Sequence, residues 1–190
     1  MTVHVYYTNT MLYLINFKKM KKMFKSVLLA TAVVFASFAN AQTSDVVDVA
    51  MSSKDHTTLV AAVKAADLVA TLKGKGPFTV FAPSNSAFDK LPKGTVENLL
   101  KPESKAALVK LLTYHVVSGK LMASDVLAAI KAGKGKAVVK TIQGEDLTAT
   151  LVDGKVILTD AKGGKSTVTA ADLNATNGVV HVIDSVVMPK

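Results

Sequence analysis

The sequence contains no cysteine. This absence excludes disulfide bonds, thiol catalysis and cysteine-based metal sites. It also excludes a bacterial lipoprotein anchor, because that anchor is attached to a cysteine side chain. Any chemistry would have to rely on hydroxyl, imidazole, carboxylate or amine groups.

Arginine and tryptophan are also absent, and all 23 basic residues are lysine. Without arginine, the chain lacks the planar group that binds phosphate or guanine through two parallel hydrogen bonds. Beyond residue 25 the lysines are spread along the chain rather than clustered. These features argue against nucleic-acid binding.

The N-terminal region is basic first and apolar second. Five lysines in residues 18–25 precede the apolar residues 26–39, and Ala39-Asn40-Ala41 supplies a small-x-small pattern. This order is typical of a secretory signal peptide, which we assign to residues 20–41. The apolar segment is shorter than the roughly 20 residues that span a bilayer, so a retained transmembrane helix is the weaker alternative.

Residues 1–19 precede the basic region and are a doubtful upstream extension, because Met20 or Met23 would be a natural start. Cleavage after Ala41 would leave residues 42–190, the usual size of one domain. Five of the 23 lysines and none of the 14 acidic residues lie in the leader, so cleavage lowers the net charge from +9 to +4. We expect one soluble exported domain, periplasmic or extracellular, without an integral membrane segment.

The first half of this segment has helical periodicity. Apolar residues recur every three or four positions over residues 57–72, with a break near Asp67. Further helices are expected over residues 94–100, over 103–115 after Pro102, and over 125–133 with Ser124 as the cap.

The second half has short runs with partial two-residue alternation. Asp153-Gly154 lies between two of these runs and predicts a hairpin turn. The long apolar stretch at residues 178–189 is expected to form a central, covered strand. Helices followed by strands favour the α+β class over a parallel α/β sheet.

Two serines flank Asn85 where a predicted strand, residues 78–82, turns into a helix. α/β-hydrolases expose their nucleophile at such a turn, but that turn has a glycine two residues to each side of the serine. Neither Ser84 nor Ser86 has these glycines. We therefore expect Ser84, Asn85 or Ser86 to cap the helix, with Ser86 and Asp89 spaced as a capping box.

Three histidines follow residue 41. His56 lies near a helix start and is expected to be exposed, whereas His115 and His181 lie in apolar stretches and are expected to be buried and hydrogen-bonded. His181 and Asp184 are three apart on a strand, so their side chains would face opposite sides. No spacing supplies the three or four ligands of a zinc site. We predict no catalytic residue, no metal and no cofactor.

Three segments resemble the signature segments of the fasciclin domain in order and spacing: TVFAPSNSAF (79–88), LTYHVVSGKL (112–121) and NGVVHVIDSVVMP (177–189). The resemblance extends over about residues 44–189. It implies a fasciclin-type fold, with several helices from the N-terminal half around a β wedge of two short sheets. The signature positions, which we expect to be structural, are Thr79, Phe81, Pro83, Asn85, Phe88, Gly178, His181, Ile183, Asp184 and Pro189.

The resemblance also implies adhesion or protein interaction without catalysis. Animal members promote cell adhesion through a Tyr-His segment, matched here by Tyr114-His115, and an Asp-Ile pair, which Asp172-Leu173 matches only at the aspartate. These four are the candidate partner-binding residues. The structural alternatives are a packed, hydrogen-bonded corner for Tyr114-His115 and a turn or cap for Asp172.

Three functions follow from these patterns. The first is a secreted bacterial fasciclin-like adhesion module that binds an unidentified surface or matrix protein or glycan; it would need self-association or a second partner, because one module is monovalent. The alternative is a periplasmic small-ligand-binding or stress-related protein, which requires a deep apolar pocket with a few polar groups. A hydrolase is the weakest, because it requires a serine or carboxylate within bonding reach of His115 or His181.

Overall fold

The computed structural model of the protein describes residues 44–190. Its α-helices are α1 (Val46–Ser52), α2 (Thr57–Ala65), α3 (Val69–Leu72), α4 (Asn85–Asp89), α5 (Thr95–Leu99), α6 (Lys105–Tyr114) and α7 (Ala123–Ala132), with 3₁₀ turns at Lys54–His56 and Pro102–Ser104. Its strands are β1 (Phe78–Pro83), β2 (Val116–Ser118), β3 (Lys136–Lys140), β4 (Asp146–Val152), β5 (Lys155–Thr159), β6 (Lys165–Ala175) and β7 (Gly178–Ile183). The predicted signal peptide (20–41) and the doubtful extension (1–19) lie outside the described residues.

The ends of the first two helices are set by a capping side chain at α1 and by a left-handed residue after α2. The Asp45 side chain caps α1 by accepting hydrogen bonds from the backbone N–H groups of Val47 and Asp48, both at 2.9 Å. The break predicted near Asp67 is confirmed: α2 ends at Ala65, and Asp67 adopts a left-handed φ of 56° before α3 begins. This stop follows from the backbone, because a left-handed residue cannot continue a right-handed helix.

Helix α7 begins differently from the prediction. Ser124 lies inside the helix, whose N-cap is Met122, so its predicted cap role is wrong. The Asp125 carboxylate accepts a hydrogen bond from the Met122 backbone N–H at 2.9 Å. It thereby satisfies a donor at the helix start that has no partner within the helix. Gly133 is the C-cap.

The strands form one seven-stranded sheet in the order β2-β1-β7-β6-β5-β4-β3. The α+β class is confirmed, but the prediction of two short sheets is wrong. Strand β6 has 11 residues and pairs with β5 through its first part and with β7 along most of its length. Register shifts between Val168 and Leu173 bend this strand, so it belongs to both halves of one continuous sheet.

The parallel pair β1 and β7 lies near the centre of the described fold. Its register runs from Phe78 opposite Gly178 to Pro83 opposite Ile183. A Cβ atom at residue 178 would lie 2.1 Å from the Phe78 carbonyl oxygen, so this contact admits only glycine. Strand β7 is buried along nearly its whole length, as the apolar stretch predicted.

The two faces of this pair contact two separate cores. Val80, Ala82 and Val180 pack with apolar residues of α1, α2 and α6. Phe81 and Ile183 face the other core, formed with β4, β5 and α7. Among residues 44–190, none of the helices is long and apolar enough to cross a membrane.

The two edges of the sheet also meet. Val117 in β2 forms a bridge with Thr141, just after β3. The Ile142 backbone N–H donates to the Val116 carbonyl oxygen at 2.7 Å. The sheet therefore curls around the second core, and both edge strands are covered at this point.

Candidate functional site

Tyr114 and His115 form a buried corner at the end of α6. Tyr114 is 0% exposed; its hydroxyl donates to the Asp146 carbonyl oxygen at 3.0 Å and accepts from the Ala161 backbone N–H at 3.0 Å. This side chain ties α6 to β4 and to the turn before β6. Burial raises the pKa of the Tyr114 hydroxyl, which keeps its proton available as a donor.

His115 is 2% exposed and uses both ring nitrogens. Nδ1 lies 2.8 Å from the Leu111 carbonyl oxygen and donates to it, while Nε2 accepts from the Val187 backbone N–H at 3.3 Å. Burial lowers the pKa of His115 to about 4, so the ring is neutral near pH 7. This geometry supports the packed-corner interpretation of Tyr114-His115, because contact with a partner would require the corner to open.

Asp172 and Leu173 lie in the irregular part of β6. Asp172 adopts a φ of 60°, and its carboxylate accepts a hydrogen bond from the Ala123 backbone N–H at the start of α7 at 2.8 Å. Its own N–H donates to His181 Nδ1 at 3.2 Å. Leu173 is 39% exposed, so this apolar side chain faces solvent. Of the four candidate partner-binding residues, Leu173 alone is an exposed apolar side chain.

The turn after β1 carries one cap rather than a capping box. Ser84 is the N-cap of α4, and its Oγ accepts from the Ala87 backbone N–H at 3.3 Å. Ser86 lies inside the helix and contacts Ser84, with 2.8 Å between the two Oγ atoms. The Ser86–Asp89 capping box is therefore wrong, because the helix begins two residues earlier than that spacing assumes.

Asn85 joins this turn to the N-terminal helices. Its Oδ1 accepts from the Thr58 backbone N–H at 3.0 Å and from the Thr57 hydroxyl at 3.2 Å. Its Nδ2 donates to the Lys54 carbonyl oxygen at 3.0 Å. Asn85 thus fixes the first turn of α2 against α4.

The other signature positions hold β1, β7 and their neighbours together. The Thr79 hydroxyl donates to the Gly119 carbonyl oxygen at 2.7 Å and accepts from the Leu121 N–H at 2.9 Å. His181 donates from Nε2 to the Leu121 carbonyl oxygen at 2.8 Å, and its ring stacks on Phe81 at 5.7 Å between centroids. The positions Pro83, Phe88, Ile183 and Pro189 are buried.

Asp184 follows β7 and binds the start of β6. Its Oδ1 accepts from the Thr167 backbone N–H at 2.8 Å. Burial favours a higher pKa for Asp184, but this hydrogen bond, the Ser185 hydroxyl and nearby Lys90 outweigh burial and lower the pKa. The carboxylate is therefore a structural acceptor rather than a proton donor near neutral pH.

Among the described histidines, His56 is the one whose burial was predicted wrongly. It is 5% exposed instead of exposed, and neither ring nitrogen has a hydrogen-bond partner within the described part of the chain. Burial lowers the pKa of His56, although Asp55 and the Ala82 backbone act in the opposite direction. One feature of the sequence could have predicted this burial. His56 precedes the buried Leu59 by three residues, and that spacing places both side chains on one helix face.

His56 lines a groove of about 660 Å³ over the β1-β7-β6 part of the sheet. Its walls come from α1, the 3₁₀ turn before α2, and the turn between β1 and α4. Polar groups at the groove include Ser53, Ser84 and Ser86, and its apolar surface includes Val180, Val182 and Leu173. Leu173, the exposed candidate, and His56 thus line the same groove, although the sequence did not predict a site there.

A model of the family described as "Fasciclin domain" matches residues 54–189. The chain belongs to the fasciclin domain family. The matched range contains all three sequence segments that carried the resemblance.

Other fasciclin-family relatives resemble the chain over most of its described length. It is 54% identical to protein sll1483 of Synechocystis over 76% of this chain and 73% of the relative. It is 34% identical to the immunogenic protein MPB70 of Mycobacterium bovis, over 74% and 66% of the two chains. The pig transforming growth factor-beta-induced protein ig-h3 is 35% identical, but the chain spans only 19% of its length.

The fold resembles a solved FAS1 domain pair from the insect cell adhesion molecule Fasciclin I, with a TM-score of 0.52 and 22% identity. The similarity covers 66% of this chain and 42% of that chain. It confirms the predicted fasciclin-type fold of helices packed on a strand-rich wedge.

The buried histidines His115 and His181 bond to backbone groups rather than to catalytic partners. Both ring nitrogens of His115 and of His181 are bonded to backbone groups, so neither ring is paired with a serine or a carboxylate. His56 is unpaired, and the nearby serine hydroxyls bond each other. No cluster of three or more potential metal-ligating histidine or acidic side chains occurs in residues 44–190.

Proposed function

We propose that the chain is an exported, non-catalytic fasciclin domain, spanning residues 42–190, that mediates adhesion by binding a surface or matrix protein or glycan. Family membership supports the interaction role. A relative from Mycobacterium bovis is named a cell surface glycolipoprotein, and the similar solved fold comes from a cell adhesion molecule. Export follows from the basic and apolar segments at residues 18–39.

The observation that carries this proposal is the exposed Leu173 in the bent part of β6. Residues on regular buried strands point into the core, but the register shifts around Ala170 turn this part of β6 outward. Asp172 fixes the bend through its hydrogen bond to Ala123, so Leu173 is held in place before a partner binds. An exposed apolar side chain beside a groove can contribute to the apolar centre of a protein interface.

Replacement of Leu173 by aspartate tests this proposal. Purified domain on beads would be measured for retention on bacterial surface extracts and on matrix-coated plates. We expect Leu173→Asp to lower retention by about 5-fold or more, because binding would bury an unpaired carboxylate in place of an apolar side chain. Leu151→Asp is the matched control, because Leu151 is also an exposed leucine on a strand, at 43%. Equal retention of both variants and the parent domain would contradict the proposal.

Binding of a small ligand is a second candidate function, favoured by the groove at His56. A groove with an apolar surface and few polar groups is the usual form of a small-molecule site. The apolar surface that Val180, Val182 and Leu173 present to this groove is the specific observation on its side.

A further inference from the structure

One face of the β3-β4-β5 part of the sheet points away from the core. The opposite face is buried through Leu147, Ala149 and Leu158, which pack in the second core together with residues of α7. Because successive side chains of a strand point to opposite sides, the residues that alternate with these three point outward. Strand pairing sets the outward residues side by side in rows, as with Thr148 of β4 and Thr159 of β5.

Four lysines lie on this outward face, which we call the lysine face. Lys136 and Lys140 lie on β3, two residues to either side of the exposed Val138. Lys155 begins β5, and Lys165 begins β6 opposite the last residue of β5. All four lysines are exposed, and none forms an ion pair within residues 44–190. These lysines are spread along the sequence, so the face becomes basic only through strand pairing.

Carboxylates offset only part of this positive charge. Asp146 is the outward acidic residue of β4 and lies opposite Lys140, and Asp153 lies in the turn between β4 and β5. Asp184, which bonds the start of β6, is already paired with Lys90. An excess of lysine remains on the face. It attracts anionic groups over a distance of about one Debye length, roughly 8 Å at physiological salt.

Hydroxyl groups occupy the middle of the lysine face. Thr148 and Thr159 are partly exposed, and neither hydroxyl forms a hydrogen bond to another residue of the described chain. A threonine hydroxyl can both donate and accept, as the hydroxyls of a sugar do. Neighbouring strands lie about 4.8 Å apart, and outward residues of one strand about 7 Å apart. Hydroxyls and ammonium groups are therefore presented at short, regular intervals along an open surface.

The apolar residues of the face argue against a membrane as the partner. Outward positions of β3, β4 and β5 include Val138, Val152 and Ile157 but no aromatic residue. Proteins that lie on a membrane surface combine lysines with aromatic or long apolar side chains that enter the lipid. An extended polymer that carries both hydroxyls and negative charges matches the lysine face better.

We propose that the lysine face binds an acidic polysaccharide, a sugar polymer that carries carboxylate or sulfate groups. The lysines pair with the acidic groups, and Thr148 and Thr159 bond to sugar hydroxyls. This surface is separate from the Leu173 interface, since Leu173 lies in the part of β6 that pairs with β7. The proposal does not require the Leu173 interface. It adds a second contact to a module that is otherwise monovalent.

Three dextrans of one chain length test the ligand class. Carboxymethyl-dextran carries carboxylates, dextran sulfate carries sulfates, and unmodified dextran is neutral. Binding of each to the purified exported protein would be measured by biolayer interferometry at low and at physiological salt. We expect at least one acidic dextran to bind about 10-fold or more tightly than dextran, and its binding to weaken as salt rises. The two acidic dextrans together show which acidic group the face prefers.

The triple variant Lys136→Gln/Lys155→Gln/Lys165→Gln tests the location. We expect it to weaken binding of the preferred acidic dextran by about 10-fold, the combined effect of three exposed ion pairs. It should also reduce the dependence of binding on salt, because fewer charges take part.

Lys64→Gln/Lys93→Gln/Lys101→Gln is the matched control for net charge. These three lysines are also exposed and form no ion pair within residues 44–190, but they lie on α2 and on either side of α5. The control should weaken binding by no more than about 3-fold, because it changes only the long-range field of the protein.

Two further variants separate the hydroxyls from the charge. Thr148→Val/Thr159→Val keeps the branched shape of both side chains and should weaken binding by about 3-fold without changing its salt dependence. Val138→Lys adds an ammonium group to the face and should strengthen binding by about 2-fold or more. This gain keeps the proposal testable even if the triple lysine variant fails to fold.

Four results would overturn the proposal. They are the absence of binding to either acidic dextran, equal weakening by the two triple lysine variants, unchanged binding by the double threonine variant, and binding only to vesicles of phosphatidylglycerol and phosphatidylcholine. Equal weakening would mean that net charge alone attracts the polymer, and vesicle binding alone would identify a membrane surface. None of these results bears on the Leu173 adhesion test, in which the lysine face is unchanged.

Discussion

At the scale of single residues, the sequence predicted the burial of His115 and His181 but not that of His56. Ser84 was among the expected caps because a serine directly before a helix can accept from a free N–H, and that argument is local. His56 was expected to be exposed because it lies at a helix start. Its burial arises where the 3₁₀ turn Lys54–His56 meets α4, which is distant in sequence. Burial of one side chain therefore depended on tertiary contacts that residue patterns do not contain.

Ser84 and Ser86 give a matched pair of stability predictions. Ser84→Ala removes the acceptor for the Ala87 N–H and should lower the free energy of unfolding by about 0.5–2 kcal/mol. Ser86→Ala removes a hydroxyl whose recorded hydrogen bond is to Ser84 and should cost less than Ser84→Ala. Urea denaturation followed by circular dichroism measures both. A larger loss for Ser86→Ala would show that the cap is assigned to the wrong serine.

At the scale of elements, helix positions and the central strand were predictable, but helix starts were less so. The apolar stripe of α2 and its stop at Asp67 follow from three- and four-residue spacing. The start of α7 was misplaced at Ser124 because the helix begins at Ala123, one residue before the serine. Asp125 accepts from the Met122 N–H, and Asp172, distant in sequence, accepts from the Ala123 N–H, so part of what fixes this start is a tertiary contact.

The central and edge strands should respond differently to a charge. Val180 in β7 is 1% exposed and Val138 in β3 is 62% exposed. Val180→Lys places an unpaired ammonium in the helix-facing core, so we expect a chain that fails to fold. Val138→Lys should change the free energy of unfolding by no more than about 0.5 kcal/mol. Circular dichroism and urea melts compare the two. A cooperative, soluble Val180→Lys protein would contradict the assignment of β7 as core.

At the scale of the whole molecule, the sequence predicted the class but not the closure of the sheet. Two-residue alternation identifies strands without saying which of them pair. The two-sheet prediction failed because β6 continues through its register shifts from β5 to β7. The contact between Val117 and Thr141 is also non-local and left no pattern in the sequence. The groove at His56 depends on the same arrangement, since its surface comes from β1, β6 and β7.

Global stability should fall between neutral and mildly acidic pH because of buried histidines. Burial lowers the pKa of His115 from 6.5 to about 4 and also lowers the pKa of His56. The unfolded chain then binds more protons than the folded one, so stability is fully present above pH 6.5 and is lost as pH falls toward 4. The slope for His115 alone should approach about 1.4 kcal/mol per pH unit.

The acidic groups change the free energy of unfolding at lower pH than the buried histidines do, so they do not mask this effect. Hydrogen bonds lower the pKa values of Glu145 and Asp184, whose ordinary values are 4.5 and 3.8, so their contribution is lost only below that range. Urea melts at pH 7, 6 and 5 should therefore show decreasing free energies of unfolding. His56→Phe removes one of the two histidines and should give a shallower but still positive slope. A free energy that is equal or higher at pH 5 would mean that His115 is protonated in the folded state, contrary to its bond with the Val187 N–H.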